Sequence, residues 1–155
     1  MAGIFQKERL RPSQARTVAD RRLGDAECLR KSGQNARANG AMYLGGIAIE
    51  CLLKAKLMEK HRWLQGSVNL AHRSPEEQDL WRLCYREHDL EGILEQLPEV
   101  RPRLQNAYPD GRLAEMLASL AAEWTIYARY SPRTATMSEA VVFLGKVKEV
   151  KEWLK

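Results

Sequence analysis

Apolar residues recur along this chain at intervals of three and four, and runs of β-branched residues are scarce. That period predicts helices rather than strands. A first helix is expected from about Ser13 to Lys31, started by Pro12 and Ser13 and stopped at Gly33, with a thin apolar face of Ala15, Ala19, Leu23, Ala26 and Leu29. A second, from about Ala36 to His61, carries no charge between Ala38 and Ile49 and is apolar on nearly every side. Such a segment is the buried central helix of an all-helical domain. Gly40, Gly45 and Gly46 lower its intrinsic propensity, so their place in it is best explained by close approach of another helix.

Residues 62–79 read as a loop in which Ser74-Pro75-Glu76-Glu77 restarts a short helix. His88-Asp89-Leu90-Glu91 opens another, with Asp89 as its cap and an end before Pro98. Turns are expected at Pro102 and at Pro109-Asp110-Gly111. A long helix from about Arg112 to Tyr130 then follows, its stripe Leu113, Leu117, Leu120, Trp124 and Tyr127 pointing to the core, and Ser131-Pro132 ends it. Thr136 and Glu139 form a capping box for the last helix, whose seam is Ala140, Phe143, Val147, Val150 and Leu154. The fold class is all-α, an up-and-down bundle of four to five helices at 13–155, behind a basic arm at 1–12.

Composition narrows the picture. The uncharged run is far shorter than the roughly 20 residues of a membrane span, and the first residues lack the apolar stretch of a secretory signal. A cytoplasmic protein without membrane contact is expected. Cys28, Cys51 and Cys84 have no metal-ligand spacing and read as small core residues in a reducing compartment. The net charge of +5 lies wholly in residues 1–37, which hold nine Lys and Arg against four Asp and Glu. This is either a footprint for phosphates or a solvated face. No metal site and no cofactor are expected, because the three His and three Cys are scattered and no phosphate-binding glycine loop is present.

The informative chemistry is one carboxylate. Glu50 interrupts the apolar run, and a buried charge needs a partner; Lys54 stands at i+4 on the same face. His88 lies at a helix N-terminus, where the dipole favours neutral imidazole. Arg129 and Tyr130 close the long helix. An antiparallel bundle would bring Glu50, Lys54, His88, Arg129 and Tyr130 together beside Trp124, a pocket suited to a nucleotide's base and phosphates. The alternative is an ion network that fixes helix register.

Asp25-Ala26-Glu27, Asn39-Gly40-Ala41-Met42-Tyr43-Leu44-Gly45-Gly46 and Glu50-Cys51-Leu52-Leu53-Lys54-Ala55, followed by His88-Asp89-Leu90 and Trp124 … Arg129-Tyr130-Ser131-Pro132, resemble the signature of HEPN domains over residues 15–155. These are small prokaryotic helical proteins often encoded beside a nucleotidyltransferase. The resemblance implies a homodimer with a nucleotidyltransferase partner, in a toxin–antitoxin or defence-type module, that binds nucleotide or RNA. Some branches are metal-independent endoribonuclease toxins with an Arg and a His four to six residues apart. There the His is the base toward a ribose hydroxyl and the Arg stabilises phosphate charge. Arg82 and His88 have that spacing, with Leu83 and Leu90 where those toxins carry a polar residue and a tyrosine. A third possibility is an interaction module without ligand.

Overall fold

The computed structural model describes residues 10–155, and every regular element among them is helical. Seven α-helices follow in order: α1 Pro12–Lys31, α2 Ala38–Lys60, α3 Pro75–Tyr85, α4 Leu90–Glu95, α5 Val100–Ala107, α6 Arg112–Glu123 and α7 Met137–Leu154. Of the basic arm, Lys7 and Arg9 lie outside the described residues. Arg11 precedes α1, and its N–H is accepted by the Gln14 side chain (2.8 Å).

The all-α expectation holds, but seven helices replace four or five. Ser74 and Glu77 cap each other's backbone and set α3 going. Pro102, expected in a turn, sits in the first turn of α5, where its missing N–H removes no hydrogen bond. The expected long helix to Tyr130 stops at Glu123. Trp124 is extended (φ −90°, ψ 135°), and a 3-10 turn covers Ile126–Tyr130. The cause is tertiary: the buried Trp124 indole seats against Gly46 and donates Nε1–H to the Tyr43 carbonyl (3.2 Å). Tyr127, expected in the core, is consequently 73% exposed.

The helix directions follow from side-chain pairs. Arg16 meets Glu59 (2.7 Å) and Leu29 faces Gly40, so α1 and α2 form an antiparallel hairpin across Gly33, which takes φ 67°. Lys148 meets Glu27 (2.8 Å) and Lys151 meets Asp20 (2.7 Å), which sets α7 antiparallel to α1. Lys146 to Glu123 (3.0 Å) and Glu149 to Arg112 (3.9 Å) run in opposite order and set α6 antiparallel to α7. The small face Ala15, Ala19, Leu23 and Ala26 lets α1 come close to α2, and the α7 seam is wholly buried. Central α2 touches α1, α7, α4 and the 126–130 turn, which explains its apolar character all round. Asn39 ties two ends together, donating to the Arg133 carbonyl and accepting from the Ala135 N–H (both 2.7 Å). It thereby fixes the segment that follows Arg129.

The cysteines divide. Cys84 is buried and Cys51 half-buried, and burial pushes both thiols up to about 11, with Glu50 adding to the effect. Cys28 is exposed, against the expectation of a core residue. It lies two positions beyond buried Ala26, on the opposite side of the helix. A thiol reagent at neutral pH is therefore expected to label Cys28 rapidly, leaving Cys51 and Cys84 to react only on unfolding. Mass-resolved labelling checks this; fast modification of Cys84 would contradict it.

Candidate functional site

Glu50 is only 4% exposed, and both oxygens of its carboxylate have partners. Lys54 donates to its Oε1 (2.6 Å), as i, i+4 geometry allows. His88 Nδ1 lies 3.1 Å from both carboxylate oxygens. Lys54, whose side chain is 13% exposed, also donates to the Glu87 carbonyl (2.7 Å). Two bonds from α2 thus hold the α3–α4 connection, and Asp89 fixes its far side by accepting the Gly92 N–H (3.0 Å).

This arrangement assigns the imidazole. An ionised carboxylate only accepts, so Nδ1 carries the hydrogen. Nε2 is the atom left for chemistry; it makes no hydrogen bond among the described residues, and the side chain is 42% exposed. The acidic group is inside, the ring's working edge outside.

Arg129 is in a different place. It donates to the Tyr43 hydroxyl (3.4 Å) and the Tyr130 hydroxyl (2.6 Å), with its guanidinium 5.5 and 4.9 Å from the two ring centroids. Tyr43 stacks on Trp124 at 6.4 Å. Tyr130 is 71% exposed. Tyr43, Ile47, Glu50 and Lys54 lie at i, i+4, i+7 and i+11 on α2, hence on one face. The two groups are separated by about 10 Å along the axis, at 1.5 Å per residue. The single pocket expected from the sequence is instead a strip: an aromatic–arginine cluster at one end, the Glu50–Lys54–His88 network at the other.

Arg82 stands apart from both. Its guanidinium pairs with Asp79 on the outer side of α3, beside Trp81 and Arg86, and no hydrogen bond or ion pair joins it to His88. Tyr43, outside the residues expected at the site, joins it through Arg129 and Trp124. Its place seven residues before Glu50 was the signal available in the sequence.

Among the described residues no cluster of His, Cys, Asp and Glu could hold a metal ion, and no helix is long and apolar enough to cross a membrane. Comparison with protein-family models, with curated proteins and with solved structures gives no match to this chain.

Proposed function

We propose that this chain is a HEPN-like protein that binds nucleotide or single-stranded RNA along the strip on α2. The observation carrying the reading is the pairing, on one helix face, of an arginine held between two tyrosine rings with a carboxylate-oriented histidine. Exposed aromatic rings stack any base, and a neighbouring guanidinium neutralises the phosphate that follows. The cytoplasm, a homodimer and a nucleotidyltransferase companion belong to this proposal through the family resemblance.

Titrating ATP, GTP and a short single-stranded RNA by calorimetry tests it. Binding is expected for at least one, and Tyr130→Ala, which removes an exposed ring, is expected to weaken it by about tenfold, the scale of one base–aromatic stack. No heat from any of the three with an intact fold would sink the ligand reading.

A second reading, metal-independent RNA cleavage, draws on the Glu50–His88 geometry, since a carboxylate on Nδ1 orients Nε2 as a general base. In that reading His88 abstracts the ribose proton and Arg82 stabilises the phosphate, which requires Arg82 to leave Asp79. RNA left whole after long incubation with the pure protein would remove it.

A further inference from the structure

A cleft of about 330 Å³ opens at the C-terminal end of α2, between that helix, α5 and the end of α7. Its cations are unevenly served. Lys60 is paired with Glu99 (3.2 Å) and bonded to the Gln96 carbonyl, and Arg16 takes Glu59 (2.7 Å). Lys56 and Arg103 both line the cleft, and neither side chain makes a hydrogen bond or ion pair among the described residues. Lys56 is half-buried and faces Arg103 and Arg16; burial first, then these two like charges, pull its ammonium below the ordinary lysine value, while the carboxylates of Glu59 and Glu99 oppose them. The Glu59 and Glu99 carboxylates attract this ammonium without bonding it, so its hydrogens face the cleft's contents.

The remaining wall is apolar. Leu104 and Leu154 are buried beneath the cleft, and the half-buried indole of Trp153 lies along it, steadied edge-on by Tyr108 at 5.8 Å. Two free cations next to an aromatic wall, in a cleft at the lower end of ligand-pocket volumes, select a small anion with a ring. We propose that this cleft binds a small phosphorylated aromatic compound, its phosphate between Lys56 and Arg103 and its ring against Trp153. The site is independent of the strip, since Lys56 points about 200° around the helix from Lys54.

Phenyl phosphate, inorganic phosphate and benzyl alcohol are the probes, titrated separately into the full chain with calorimetric or amide-shift detection. Phenyl phosphate is expected to bind at least about tenfold more tightly than either half alone, since both halves of the cleft then contribute. Lys56→Met and Arg103→Gln are each expected to weaken it by about tenfold. Lys56→Met is also expected to leave the melting temperature unchanged or raise it, because it removes an unpaired, partly buried charge. Phenyl phosphate binding no better than phosphate, binding unaltered in the double variant, or silence up to about 10 mM would each overturn the proposal. A clear fall in melting temperature for Lys56→Met would do so too, by making the lysine a structural residue.

Discussion

Lys54→Met is expected to lower the unfolding free energy by about 3 kcal/mol, toward the lower end of what breaking a buried ion pair costs. The substitution keeps a stem of similar length and a good helix former, so packing and propensity change little. What changes is the electrostatics. Glu50 keeps only the His88 ring as partner, and the Glu87 carbonyl loses its donor. Because His88 remains, the loss should not reach the upper end of the range. Replacing both members, Glu50→Met with Lys54→Met, is expected to recover most of the stability, since two apolar side chains remove the desolvation cost altogether. The double variant should nevertheless leave His88 unheld. Urea midpoints of the single and double variants check this; a loss below about 1 kcal/mol for Lys54→Met would mean that water reaches the pair and screens it.

Gly46→Ala carries the next largest effect, a destabilisation of about 1–3 kcal/mol. A Cβ there would lie 1.9 Å from Trp124 Nε1 and 2.0 Å from its Cδ1, and a buried indole has no free end to turn aside. Overpacking of this kind typically costs about 1–3 kcal/mol. Losing the Trp124–Tyr43 bond adds about 1, and the helix propensity gained from alanine returns about 1. The neighbouring glycines calibrate the claim. At Gly45 the Cβ meets a methyl of Leu144 at 2.6 Å, which has some freedom to move, so the effect should be smaller. At Gly40 it meets only Leu29 Cδ1 at 3.1 Å, and Gly40→Ala is expected to be neutral or slightly stabilising. Thermal denaturation should order the three as Gly46, Gly45, Gly40, and a Gly46→Ala protein as stable as the parent would contradict the seating of Trp124.

The readable parts of this fold are those whose cause is local. The Thr136–Glu139 capping box and the seam of α7 lie within one segment, and both stand as expected. The bond between Glu50 and Lys54 follows from helical spacing alone. The end of α6 was not readable, because the stripe through Leu113, Leu117 and Leu120 keeps its period into Trp124 and Tyr127 while the chain does not stay helical. What ends the helix is a notch at Gly46, far away in sequence; the local signal is slight, a single Thr125 whose hydroxyl accepts the Tyr127 N–H and caps the turn that follows. The early end of α6 also moves the site. With α6 stopping at Glu123, Arg129 is carried to Tyr43 and away from Glu50, and one pocket becomes a strip. Cys28 is a different case: its offset from Ala26 puts it on the solvent side, and helical period outranks the general tendency of cysteine to be buried.

Glu50 stabilises the α3–α4 connection and orients His88 at the same time, so stability measurements alone cannot separate a ligand site from a register device. Amide and side-chain shift mapping by NMR, with a short single-stranded RNA titrated into the full chain, separates them most directly. Binding along the α2 strip predicts shifts concentrated at Tyr43, Arg129, Tyr130 and the His88 ring. Shifts confined to other faces, or none at saturating RNA, would contradict it.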